Sequence, residues 1–346
     1  MTDHLIQFVD RAPNSAIRVA RRLIPARAIP LAAAERRRRA GVAACLVSAV
    51  GFGALPIFGK EAFDAGVGPL GLLWARFGLA AVVFWALVMA VRPARPAGRW
   101  VAAGLLMGFA GYAVEAALFF LALERFDASL TELLLYAYPA IVTVAAVACG
   151  RERLSGRLAG ALILATGGLV AVLAGSIAIG ANLVGFGLGL AAAAVYAAYV
   201  LAGERVVAAV HPLLLAALVS SGAAAAFTLA GLAGVHMGLP GTGSAWGLVG
   251  LIAIVGTVVP VAALFAGIER VGAPTASIVS TAEPVVTVVL ALFFLSEALS
   301  PVEALGALAV LAAVRLLRGA PPASRRPADG DGAEPEPAEE PEMVCA

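Results

Sequence analysis

Ten apolar stretches, each about twenty residues long, leave this chain few folds to choose from. They lie near 41–60, 69–91, 100–121, 128–149, 158–176, 183–203, 212–234, 246–268, 273–295 and 301–318. A helix of roughly 20 apolar residues crosses a bilayer. The runs are continuous rather than alternating, which argues against strands. Backbone groups in lipid must be satisfied internally, which leaves helices. At 62% hydrophobic and 13% charged residues, the chain carries more apolar surface than a soluble globule can hide. Soluble chains hold about 45–50% apolar and about 25% charged residues. The expected fold class is an all-α polytopic membrane protein with ten transmembrane helices.

The second half repeats the first. Residues 120–156 read FLALERFDASLTELLLYAYPAIVTVAAVACGRERLSG, and residues 265–301 read FAGIERVGAPTASIVSTAEPVVTVVLALFFLSEALSP. At a constant offset of 145, Glu124 meets Glu269, Arg125 meets Arg270, Pro139 meets Pro284 and Glu152 meets Glu297. Five helices per half is an odd number, so the two halves are expected to be inverted. Two similar bundles can then rock about a site at their interface.

Basic residues mark the cytoplasmic side. One side holds Arg36–Arg39, Arg92, Arg95, Arg99, Arg151, Arg153, Arg157, Arg205, Arg270, Arg315 and Arg318, while the other holds only Lys60 and Arg125. Both termini are therefore expected in the cytoplasm. The expected organisation is a basic cytoplasmic N-terminal extension (1–39), two five-helix repeats (40–178 and 179–318) and a disordered cytoplasmic tail rich in Pro, Ala, Asp and Glu (319–346). Whether residues 1–39 belong to the native protein stays open. The segment Ile17–Ile24 reads either as a membrane-surface stretch or as a disordered tail.

The ordered features resemble the drug/metabolite transporter superfamily, specifically EamA-type transporters. The first helix ends GFGALPIFGKEAF, and Arg76 follows in LLWARFGLA. Each half has a short turn, a Pro in its fourth helix (YPA, EPV), a Glu after it (GRERL, LSEAL) and a Gly-bearing fifth helix. The match covers residues 41–318. The resemblance implies a ten-helix bacterial inner-membrane carrier of small metabolites, often an exporter.

Charged groups inside a membrane helix cost about 2.5–3.5 kcal/mol each on insertion scales, so each needs a reason. Arg76 and Glu115 are both expected about 10 Å below the outer surface, from a rise of about 1.5 Å per residue. Either they form a structural ion pair, or Glu115 is a proton site beside a cation. Gly104, Gly108, Gly111 and Glu115 recur at helical spacing, so one stripe is expected to turn Glu115 into the bundle. Glu283 falls near the middle of the ninth helix, just before Pro284, and shares a face with Ser280 and Thr287. It reads as a coupling carboxylate or as a hydrogen-bonded packing residue. Glu132 stands one turn before Tyr136; it belongs with Tyr138 near the site, or simply with the outer mouth. Tyr136 and Tyr138, just before Pro139, and Tyr196 and Tyr199 read as cavity wall or as ordinary core. Trp74 and Tyr112 have weaker claims. Pro56, Pro139, Pro260 and Pro284 are expected kinks or hinges. Glu152 and Glu297 read as structural ties between helices.

These features point to a secondary-active carrier of small metabolites, amino acids or drugs. Export by alternating access with proton coupling is the expected mode. A channel or lipid scramblase is the alternative. An enzyme is not expected: HExxH and GxSxG are missing, and His4, His211 and His236 form no catalytic set. GALPIFGK has the wrong glycine spacing for a phosphate loop. Cys45, Cys149 and Cys345 make no metal or disulfide framework, so no cofactor or metal is expected. Expected partners are a small-molecule substrate and the lipid bilayer, with no nucleic acid; the protein is expected as a monomer or homodimer.

Overall fold

The computed structural model describes residues 31–148, 155–178, 183–297 and 300–318. Every regular element among them is helical. The first series is α1 (Leu31–Gly53), α2 (Leu55–Asp64), α3 (Pro69–Val91), α4 (Gly98–Leu106), α5 (Ala113–Leu123), α6 (Ala128–Leu135), α7 (Tyr138–Ala148) and α8 (Gly156–Ala178). The second series is α9 (Leu183–Ala209), α10 (Pro212–Leu232), α11 (Gly243–Ala253), α12 (Val259–Val271), α13 (Ala273–Ser280), α14 (Glu283–Leu290) and α15 (Pro301–Arg318). Short π-helical segments join α4 to α5 (Met107–Tyr112) and α11 to α12 (Ile254–Val258), and another follows α14 (Ala291–Leu295).

Among the described residues, seven helical stretches are long and apolar enough to cross a membrane: Glu35–Asp64, Pro69–Val91, Gly98–Leu123, Ala128–Ala145, Leu183–Ala209, Pro212–Leu232 and Gly243–Val271. Leu158–Ala171 and Glu283–Leu295 are shorter apolar helices. Ile163, Leu232 and Phe293 stand 74%, 80% and 76% exposed. That outward apolar surface suits lipid rather than water.

One boundary differs from the sequence reading. The first helix begins at Leu31, ahead of the expected start near 41, so Arg36–Arg39 ride on the helix instead of lying in a tail. The run LAAAE is rich in good helix formers. Arg39 also donates to Glu35 one turn earlier at 2.6 Å, a pairing that supports exposed helices. Arg151, Arg153 and Glu152 fall outside the described residues, as do the first thirty residues and the C-terminal tail.

The two series are interleaved. α1 packs along α12, α3 along α10, α5 along α9 and α8 along α15. Small residues make the closest approaches. Gly108 lies against the backbone of Val219, and Gly222 against that of Leu105. No larger residue fits there without moving a helix, since any Cβ would strike backbone.

Four rods change course just before a proline: three are interrupted, ahead of α2, α7 and α14, and the fourth passes through the π-helical segment Ile254–Val258 ahead of α12. Pro56, Pro139, Pro260 and Pro284 are each the second residue of α2, α7, α12 and α14. A helix's first turn has no partner for its N–H groups, so a residue lacking one is tolerated there.

One carboxylate ties the series together at the Glu124–Arg125 end. Glu297 accepts hydrogen bonds from the Ala128 N–H (2.9 Å), the Ser129 N–H (3.1 Å) and the Ser129 hydroxyl (3.1 Å). It caps α6, whose first N–H groups need an acceptor and whose dipole favours an anion. Glu297 is thus a structural tie between helices, and it runs between the two series. Asp127 sits beside it. Partial burial, then the Glu297 carboxylate, raise the Asp127 carboxyl above its ordinary value, against the pull of Lys60. A carboxyl raised in the folded state binds its proton more tightly there, so ionising it destabilises the fold as pH climbs past its ordinary value. Asp127→Asn is therefore expected to raise the melting midpoint in detergent at neutral pH. The gain should vanish below the ordinary carboxylate range, as read by a thermal-melt series across pH.

Candidate functional site

The broken rods enclose a cavity of about 370 Å³. Both series line it. From the first come Ser48, Phe52, Pro56, Arg76, Glu115, Glu132, Tyr136 and Tyr138; from the second come Tyr196, Ser280 and Glu283. Most of the residues singled out from sequence thus converge on one space, although they derive from α1 to α3, α5 to α7, α9, α13 and α14.

Arg76 is 1% exposed. Its Nε donates to the Thr257 hydroxyl at 2.7 Å. The rings of Phe77 and Phe120 lie 5.0 and 5.7 Å from its guanidinium carbon, within cation–π range. Its Nη2 has no hydrogen-bond partner among the described residues. Tyr112 and Glu115 are within its electrostatic reach. No ion pair of 4.0 Å or less joins Arg76 to Glu115 among the described residues. The structural ion pair weighed from sequence is therefore not formed. Thr257, from the π-helical segment before α12, takes that place.

The glycine stripe of the third rod does not run straight to Glu115. Gly104 and Gly108 face α10 at Leu218 and Val219, whereas Gly111 faces Tyr199 of α9. Glu115, 6% exposed, lines the cavity. The π-helical segment lies within this stretch; its wider turn shifts the register of the residues after it.

Glu132 is 2% exposed, and its Oε1 has no hydrogen-bond partner among the described residues. It lies within reach of both Glu283 and Glu115. The outer-mouth reading of Glu132 is overturned: it is buried in the cavity wall. Glu283 is held by Tyr136, whose hydroxyl lies 3.0 Å from Glu283 Oε2 and 3.1 Å from the Ser280 carbonyl.

The shared face of Ser280, Glu283 and Thr287 divides within α14, one turn after the break. Ser280 and Glu283 line the cavity, while Thr287 donates at 2.9 Å to the carbonyl of Gly53, where α1 ends. The interruption in α1 frees an acceptor, and the second series supplies the donor.

All five tyrosines form one file. Ring centroids are 6.2 Å apart for Tyr136 and Tyr138, 4.7 Å for Tyr138 and Tyr196, 6.0 Å for Tyr196 and Tyr199, and 5.8 Å for Tyr199 and Tyr112. Phe77 continues it at 5.4 Å from Tyr112. Tyr199 lies behind the lining rather than in it. Trp74 bonds Thr228 at 3.0 Å, outside the cavity. Sequence reading gave Tyr112 little weight, yet it borders the cavity beside Arg76. Ser48, a lone hydroxyl in an apolar rod, also lines the cavity.

A multi-pass helical bundle that buries a guanidinium and two carboxyls beside a cavity, with a half-buried third, is the architecture of a membrane transporter. The comparisons with known proteins agree. The EamA-like transporter family model matches residues 39–174 and again 183–319, and the chain belongs to that family. A relative, "Uncharacterized transporter YcbK" of Bacillus subtilis (strain 168), is 30% identical over 289 residues, covering 78% of this chain and 90% of its own. A solved crystal structure aligns over 81% of this chain and 97% of its own, with a TM-score of 0.56 and 20% identity, and shares the fold. The protein is a transporter rather than an enzyme.

The Arg76–Thr257 bond can be weighed directly. Thr257→Val leaves a buried guanidinium N–H without its partner, a loss of about 1–3 kcal/mol. The melting midpoint should fall accordingly. In an Arg76→Met background the same change should cost less than about 0.5 kcal/mol, because the partner is already gone.

Proposed function

We propose that the protein is a secondary-active carrier of small metabolites, amino acids or drugs in the bacterial inner membrane, exporting by alternating access with proton coupling. In this reading ten helices form two inverted five-helix repeats, residues 40–178 and 179–318, with both termini in the cytoplasm. The observation that carries the proposal is the cavity, where Arg76, Glu115 and Glu132 of one half meet Glu283 of the other.

Inversion is supported by matched contacts at opposite ends. Arg125 donates to the carbonyl of Leu121 at 2.8 Å, and Arg270 to that of Ala266 at 2.6 Å; both pairs keep the offset of 145. Gly41 faces Arg270 and Val271, while Gly185 faces Phe126 and Arg125. The start of each half thus rests on the matching turn of the other.

Alternating access is supported by the closure of one end. Towards the Glu124–Arg125 end, a continuous apolar core that includes Leu55, Ile57, Phe120 and Leu123 is buried above the cavity. Glu297 latches the same end. The changes of course before the four prolines supply bend points. The coupling role falls to Glu283 with Glu132, carboxyls close enough to affect each other's ionisation and thus suited to exchanging a proton with solute.

Purified protein in liposomes tests this. Efflux of solutes identified by metabolite profiling of cells with and without the protein should saturate, show counterflow and respond to an imposed pH gradient. Glu283→Gln should lose the response to the gradient while keeping counterflow. Linear, non-saturating flux would make the protein a channel or scramblase instead, and an unchanged Glu283→Gln protein would remove the coupling role.

A further inference from the structure

We propose that Arg76 is the receptor for a carboxylate on the transported solute. The proposal rests on the carrier reading and adds the chemistry of what is carried.

Arg76 holds an unspent donor. A guanidinium has five N–H groups in a rigid fork, matched to a carboxylate. Here Nε donates to Thr257 at 2.7 Å, and Tyr112 lies within hydrogen-bonding reach of the same guanidinium. That bond, and the rings of Phe77 and Phe120, fix the fork's position before any solute arrives. Nη2 is left unpartnered among the described residues, in a side chain 1% exposed. A buried cation in that condition is costly, and strongly so in a membrane bundle. An Arg held only for structure would be expected to take the nearest carboxylate. Glu115 is on the neighbouring rod, within electrostatic reach, and yet no ion pair forms.

The surroundings narrow the anion. Among the described residues, three carboxyls, Glu115, Glu132 and Glu283, share the cavity with this one cation. One guanidinium balances one negative charge, so a dianion such as a phosphate monoester would be left half unpaired. A monocarboxylate fits the fork and the charge. A solute with only an amine or only an apolar body would leave the guanidinium unpaired, and a site built around a buried polar group rejects such analogues strongly. Arg76 thereby sets specificity: it selects acid over amide, ester or bare amine.

The test separates this claim from the carrier reading. Exported solutes are first profiled by mass spectrometry in cells carrying the wild-type protein, Arg76→Gln, or an empty vector. The expected result is that solutes dependent on the wild-type protein carry a carboxylate and fall to vector level with Arg76→Gln, whose folded yield is checked by size exclusion. The leading solute is then offered to wild-type proteoliposomes beside its carboxamide. The acid should be transported at least about 100-fold better, the scale set by an unpaired buried donor. This comparison needs no variant, so a misfolded Arg76→Gln protein does not decide it. Dependent solutes without a carboxylate, or equal transport of acid and amide, would overturn the role of Arg76 and leave the carrier intact. No difference between wild-type and vector cells would overturn both.

Discussion

The interior of this bundle is organised around the cost of charge in a medium that cannot solvate it. Arg76, Glu115 and Glu132 are all nearly inaccessible, yet they lie in rods whose outer faces are apolar enough for lipid. Each would cost several kcal/mol alone. They are tolerated because they come together, around one cavity, with Thr257, Tyr136 and a file of aromatic rings supplying hydrogen bonds and polarisable walls. A polar cavity inside an apolar shell is a place where a solute leaves water without losing all its partners.

That arrangement constrains the backbone as well. A cavity in a close-packed bundle requires rods that stop or bend, and four rods do so just before a proline. The bend in the first rod exposes a backbone group that the opposite half satisfies: Thr287 answers the Gly53 carbonyl. Glu297 likewise answers the N–H groups of Ala128 and Ser129 at the start of α6. The halves are therefore joined by polar contacts at their interruptions and by close glycine contacts along their lengths. Polar ties of a few bonds can be exchanged during a rocking motion more readily than a continuous apolar seam.

Much of this could be read from the chain. Continuous apolar runs and the offset of 145 pointed to membrane helices and a repeat, and charge at depth picked out Arg76, Glu115, Glu132 and Glu283. What could not be read depends on partners distant in sequence or on local register. Thr257 lies 181 residues from Arg76, and nothing in LLWARFGLA names it. Glu297 reaches residues 168 and 169 positions away. The π-helical segment Met107–Tyr112 lies where Gly108, against α10, gives way to Gly111, against α9. Tyr112 became visible only when α9 brought Tyr199 beside it.

The central claim is that this cavity, between the two halves, takes solute from one side at a time. A single cysteine at Ser280, introduced as Ser280→Cys with Cys45, Cys149 and Cys345 replaced, reports on it directly. A membrane-impermeant thiol reagent is applied to either face of sealed vesicles, with and without the transported solute. The account predicts rapid labelling from the Glu269–Arg270 face, slow labelling from the Glu124–Arg125 face, and protection by solute. Equal labelling from both faces, or labelling that the solute does not slow, would contradict it.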